Sequence, residues 1–238
     1  MCRAVSDRTV LVTGGTGGLG AAVTRAFLEE GWRVVVPWVA ERELRAPPFG
    51  GSGVQEHERL ELVQADLFEP DAADRAVATA GPSLRALVNL VGGFAIHERV
   101  HETPVEVFEE QLRLNLRPAY LACRAALPAM LQAGSGSIVC VSSRAARRPF
   151  PGAAGYIVGK AAVLALVDAL DAEYRKDGVR VNAVLPSVID TPANRSSMPD
   201  ADFETWVRPE QIARVIRFLC SDDASITSGA HVPVYGLA

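Results

Sequence analysis

Thr13-Gly14-Gly15-Thr16-Gly17-Gly18-Leu19-Gly20 decides the fold. It follows a short apolar run at residues 9–12 and opens an amphipathic stretch at 18–30, which Gly31 stops. A strand, a glycine-rich turn and a helix therefore succeed one another. Such a turn is tight and lets the backbone come close to what it faces, and glycine permits both. The helix N-terminus beyond it offers free N–H groups to an anion. The spacing Gly14, Gly18, Gly20 is not the G-x-G-x-x-G of the common dinucleotide fingerprint. A glycine turn without a ligand would share this composition, but its place between strand and helix favours a pyrophosphate site.

Outward from this loop, short apolar runs alternate with longer amphipathic ones. The pattern predicts strands at 33–38, 60–64, 84–90, 137–142, 179–185 and 231–234. It predicts helices at 70–80, 104–133, 155–176 and 208–220, with Pro118 and Pro128 as kinks in the second and Gly178 ending the third. Residues 47–53 read as an exposed Pro/Gly-rich loop. No repeat or linker divides the chain. The expectation is one α/β domain over residues 1–238, a doubly wound Rossmann-type parallel sheet flanked by helices, with its ligand at the carboxyl ends of the strands.

Bulk properties agree. A chain of 238 residues with 49% hydrophobic residues can bury a sizeable core. A formal net charge of −4 gives no reason to expect nucleic acid as a partner. No stretch is long and apolar enough for a membrane span, and the polar stretch 1–8 does not read as a signal peptide. Cys2, Cys123, Cys140 and Cys220 lie far apart, as reduced core thiols of a cytoplasmic protein would. His97 and His101 are four apart with no third ligand in view, so they read as a polar rim and no metal is expected. Lys160 and Lys176 are the two lysines of the chain.

One of them stands four residues after Tyr156, at the start of a helix, so the two side chains share a face. A free tyrosine, with a pKa near 10, is a poor acid–base catalyst at neutral pH. A neighbouring ammonium favours the phenolate and brings that pKa toward the working range. Ser143, thirteen residues earlier, can polarise a carbonyl, with Ser142 as its rival. Asn115 interrupts the long helix on the face of Phe108, Leu112 and Ala119, where a buried amide must find partners; a solvated or locally bonded asparagine is the alternative.

Together, T-G-x-x-x-G-x-G at Thr13 to Gly20, Asn89-Leu90-Val91-Gly92, Ser143, Tyr156-x-x-x-Lys160 and Pro186-Ser187 followed by Thr191 resemble the short-chain dehydrogenases/reductases over nearly the whole chain. The Asn89 motif is degraded, and Ser187 stands where the family has glycine. The resemblance implies reversible carbonyl reduction or alcohol oxidation, with Tyr156 as proton donor and acceptor. Lys160 would tune it and bind the ribose, Ser143, chosen by the family's spacing, would polarise the carbonyl, and Asn115 would bend the helix and order a water relay. It implies a nicotinamide cofactor against Gly14, Thr16, Gly18, Leu19, Gly20, Trp38, Asp66, Leu67, Asn89, Tyr156, Lys160, Pro186, Val188 and Thr191. Asp66 would contact the adenine, although a helix cap or turn residue would look the same.

The segment 187–207 reads as a substrate lid. From Asp190 to Trp206 it is similar to dihydropteridine reductase of the same superfamily, which makes a pterin reductase one alternative; ordinary loop composition would serve as well. A dinucleotide-binding regulator without turnover is the alternative from another class. An acid at the end of the second strand would select NAD(H). Trp38 holds that position, and Arg42 and Arg45 follow among Glu41 and Glu43, which favours NADP(H) over NAD(H). The family's long helices form its main interface. Leu164, Leu166, Val167 and Leu170 exceed one buried stripe, so a homotetramer is expected, with a homodimer as second choice.

Overall fold

A computed structural model describes residues 8–51 and 54–237. Cys2, read above as a core thiol, and residues 52 and 53 of the Pro/Gly-rich loop lie outside them. Seven strands are β1 (Thr9–Thr13), β2 (Arg33–Trp38), β3 (Leu60–Gln64), β4 (Leu84–Asn89), β5 (Gly136–Val141), β6 (Val179–Pro186) and β7 (His231–Val234). The helices are α1 (Gly18–Glu29), α2 (Glu41–Arg45), α3 (Pro70–Ala80), α4 (Val105–Ala133), α5 (Ala154–Tyr174), α6 (Pro192–Ser197) and α7 (Pro209–Cys220). The strands form one sheet in the order β3-β2-β1-β4-β5-β6-β7, parallel throughout. Chain direction across the sheet reverses between β1 and β4, which leaves a crevice at their carboxyl ends.

Strand alternation fills a core on each face. Leu11, Val35, Leu87 and Ile138 pack with Ala73 of α3, Ala126 of α4 and Val163 of α5. Val10, Val12, Val34, Val36 and Val88 pack on the other face with Phe27 of α1 and Ile212 and Ile216 of α7. This is a single Rossmann-like domain.

The structure corrects several expectations. Asn115 does not interrupt α4. Its amide donates to the Gln111 carbonyl one turn back at 3.0 Å, so the helical ladder accommodates it. Helix α4 also continues through Pro118 and Pro128 as one 29-residue element. Leu164, Val167 and Leu170 are buried in the chain's own core, with Leu166 packed against it. Their apolarity serves the sheet and is no sign of a subunit interface. Phe49, in the loop expected to be exposed, is fully buried beside α1 and β2. The short α2 was not anticipated. Gly178, with φ of +82°, closes a 3-10 turn after α5 rather than the helix itself.

Candidate active site

The glycine loop folds back on the start of α1. Gly14 has a φ of +67°, and a Cβ there would stand 3.2 Å from the Val91 nitrogen. A Cβ on Gly20 would collide with the Gly14 carbonyl oxygen. Gly17 caps α1 without a side-chain bond, and the first turn holds no acid. No acid of α1 itself stands against the backbone donors of this helix start, a cradle that fits a pyrophosphate. Thr191 covers the loop from the β6 side: its Cγ2 lies 2.7 Å from where a Cβ on Gly18 would be. The Thr191 hydroxyl also caps α6 by accepting from the Asn194 N–H at 3.2 Å.

Near the loop stand Trp38, half-buried at the end of β2, and the charges of α2. Glu43 accepts from the Thr16 hydroxyl at 3.1 Å and from the Ala40 N–H at 3.0 Å. Arg45 pairs with Glu41, while no ion pair among the described residues reaches Arg42. The Asp66 carboxylate, exposed after β3, accepts from the Phe68 N–H at 3.0 Å in a local turn, and Leu67 is buried beneath it.

Beyond the loop, the end of β4 is fixed from inside. The Asn89 amide donates to Cys123 Sγ at 3.3 Å and Cys140 Sγ at 3.5 Å, so its side chain serves the core. Thr13 Oγ1 accepts from the Leu90 N–H at 3.2 Å. Asn115, 1% exposed, then holds the strand end, accepting from the Gly93 N–H at 3.2 Å and donating to its carbonyl at 3.0 Å. A Cβ on Gly92 would stand 2.7 Å from Asn115 Oδ1 and 2.9 Å from Lys160 Nζ, so glycine there lets both groups approach.

Across the crevice, Ser143 Oγ caps a 3-10 turn by accepting from the Ala145 N–H at 3.1 Å. Burial pushes the Tyr156 phenol up, and the Ser143 hydroxyl beside it opposes that. The expected lowering by Lys160 is not seen. Lys160 Nζ lies 6.0 Å from the Tyr156 ring centroid and donates instead to the Val141 carbonyl at 3.1 Å. Lys160 is itself 6% exposed, and burial brings its ammonium down to about 8. The rival hydroxyl, Ser142, is buried and donates to the Lys160 carbonyl at 2.7 Å.

These elements enclose a cleft of about 540 Å³. Leu19, Ser143, Tyr156, Lys160, Pro186 and Val188 line it together; Gly14, Thr16, Gly18, Gly20, Trp38, Asp66, Leu67, Asn89, Asn115 and Thr191 do not. Phe94, Ile96, Phe150, Arg144 and Arg148 also line it and were not singled out in the sequence. The Phe94 ring meets the Tyr156 ring edge-on, centroids 4.9 Å apart. Their one sequence signal was position: Phe94 follows the end of β4, and both arginines follow Ser143. Segment 187–207 leaves β6 and folds back beside it before α7, closed at its base by a bridge between Ile189 and Val207, and contributes Asn194 and Met198 to the cleft.

Residues 8–202 match the family described as short chain dehydrogenase. The chain belongs to this family. The chain is 32% identical over 97% of its length to 2-(R)-hydroxypropyl-CoM dehydrogenase of Xanthobacter autotrophicus, covering 98% of that protein. It is 36% identical over 90% of its length to a probable galactose dehydrogenase of Rhizobium meliloti, covering 81% of it. The structure of a short-chain type dehydrogenase/reductase from Mycobacterium ulcerans superposes with a TM-score of 0.88 at 26% identity, over 99% of this chain and 90% of that one. The chain is thus an oxidoreductase of a family whose members bind NAD(P) and act on small alcohols or carbonyls. Among its described residues, no helix is long and apolar enough to cross a membrane.

Proposed function

We propose that the chain interconverts a carbonyl compound and its alcohol, with Tyr156 as general acid and base. The observation that carries this is the convergence of Ser143, Tyr156 and Lys160 on one cleft beside the glycine cradle. Gly14 to Gly20, Pro186, Val188 and Thr191 would hold the cofactor, which supplies or accepts the hydride at the substrate carbon. In reduction, Ser143 donates a hydrogen bond to the carbonyl oxygen and Tyr156 delivers the proton that this oxygen takes up. In oxidation, Tyr156 removes it. The phenol is held up by burial, so it needs positive charge nearby to give its proton easily. Lys160 is the buried cation at hand, and a pKa of about 8 lets it give and regain a proton near neutrality. Asn115 positions Gly92 and Gly93 against Lys160. The segment 187–207 acts as a lid, and the protein works in the cytoplasm.

For the cofactor we propose NADP(H) over NAD(H). Trp38 offers no carboxylate to a ribose hydroxyl pair, and Arg42 is a cation without an ion-pair partner among the described residues. Glu43, held on Thr16, works against a 2′-phosphate. Glu43→Gln is therefore expected to raise the NADPH-to-NADH ratio of kcat/KM, and Arg42→Ala to lower it. A wild-type NADH preference that neither substitution moves would overturn this choice.

The test of the reaction is cofactor oxidation over ketones, aldehydes, quinones and quinonoid dihydropterins. Turnover of a simple carbonyl supports the reading, and turnover confined to pterins supports the narrower one suggested by residues 190–206. Cofactor binding with no turnover anywhere would favour the regulator.

A further inference from the structure

Arg144 and Arg148 border the cleft beside Ser143. The backbone sets them one turn apart: Arg144–Ala146 is a 3-10 turn, and the Arg148 N–H donates to the Arg144 carbonyl at 2.8 Å. Side chains so spaced are neighbours, and like charges there repel. No ion pair among the described residues reaches either guanidinium to offset this. Arg147, between them, differs. Its guanidinium meets His231 Nδ1 at 2.6 Å, and His231 Nε2 lies 2.8 Å from Asp168. Arg144 packs on an aromatic face, its Cζ 5.8 Å from the Tyr235 ring centroid, which steadies the side chain without using its N–H donors. The cleft therefore carries Arg144, Arg148 and Lys160, and no Asp or Glu among the described residues lines it. Much of the remaining wall is apolar, with Phe94, Ile96, Phe150 and Met198 partly exposed in it.

We propose that Arg144 and Arg148 form an oxyanion subsite, and that the substrate is a carbonyl or alcohol compound with an apolar body and a carboxylate or sulfonate remote from the reacting carbon. This rests on the oxidoreductase reading above and names its substrate class. Guanidinium donors match both oxyanions by paired N–H bonds, and an anion between two like charges removes their repulsion. The aromatic side chains beside Tyr156 would take the body, which orients the anion toward the arginines and the carbonyl toward Ser143 and Tyr156. The cofactor's pyrophosphate is not the anion meant: its cradle is the glycine loop, covered by Thr191.

The experiment compares 4-formylbenzoate with its neutral methyl ester, alike in the reacting aldehyde and ring. For the wild-type protein, kcat/KM for the carboxylate should exceed that for the ester by about tenfold or more, a gap that narrows with added salt. In Arg144→Gln/Arg148→Gln the gap should close. A second arm titrates 4-methylbenzenesulfonate, which has no carbonyl, into each protein by calorimetry. Binding to the wild type and its loss in the double variant are expected. Equal kcat/KM for the two aldehydes, a gap that survives the double substitution, or a substitution that weakens only nicotinamide binding would overturn the subsite and leave carbonyl reduction standing. If neither aldehyde is turned over, the reaction itself is contradicted for this class, and the sulfonate titration alone decides the subsite.

Discussion

At the residue scale, Lys160 carries the clearest physical signature. Its ammonium is buried and brought down to about 8 from an ordinary 10.5, a difference of about 3 kcal/mol against the charged form. Below pH 8 both folded and unfolded chains hold the proton, and the native state bears the full burial penalty. Between about 8 and 10.5 the native lysine is neutral while the unfolded one is still charged, so this contribution to stability improves as pH rises. Lys160→Met removes the penalty. It should raise the melting temperature at pH 7 and raise it less at pH 10, in thermal unfolding without cofactor. An increment that is equal at both pH values would show that the lysine is not desolvated in this way. The same residue shows what the sequence could and could not reveal. Spacing put Lys160 on the face of Tyr156, and both do border one cleft. Spacing could not reveal that Nζ turns to the Val141 carbonyl, because that partner comes from β5 and only the folded sheet delivers it.

At the element scale, the strand–loop–helix unit bears the most constraint. Gly20 lies where α1 passes under the Gly14 carbonyl, and no side chain fits between them. Gly20→Ala must shift the loop or the helix. It should destabilise the protein by about 1–3 kcal/mol and weaken nicotinamide binding, read by denaturant unfolding and by cofactor titration. Unchanged values for both would contradict the tight return of the loop. Apolar runs and the α3 period were legible: β2, β3, α3 and β7 have the bounds expected from residues 33–38, 60–64, 70–80 and 231–234. The short α2 was not, because five residues give no helical period and its charges read equally well as a loop. The burial of Phe49 is hidden from the sequence for a related reason. Prolines and glycines around it mark a loop, but nothing local says that one ring of that loop closes the core beside Phe27. Asn115 and the two α4 prolines read as breaks because each weakens a helix alone. Packing of α4 against the sheet and α5 overrides that local cost.

At the scale of the whole molecule, the seven-stranded sheet places the glycine cradle and the Ser143–Tyr156–Lys160 wall on either side of one crevice. We expect a homotetramer, or failing that a homodimer. Leu164, Val167 and Leu170 are buried in the chain's own core and take no part in this. The expectation follows from the family resemblance, in which the long helices, here α4 and α5, form the interface. Light scattering at micromolar concentration checks this: a mass of four 25.4 kDa chains is expected, and a monomer would contradict it. The central claim is that this crevice performs proton-coupled hydride transfer through Tyr156. The most direct measurement is carbonyl-dependent nicotinamide oxidation by the wild type and by Tyr156→Phe, with cofactor binding measured on both. The account predicts turnover in the wild type, its loss by about a thousandfold or more in the variant, and nearly equal cofactor affinity. Turnover undiminished in Tyr156→Phe would contradict it.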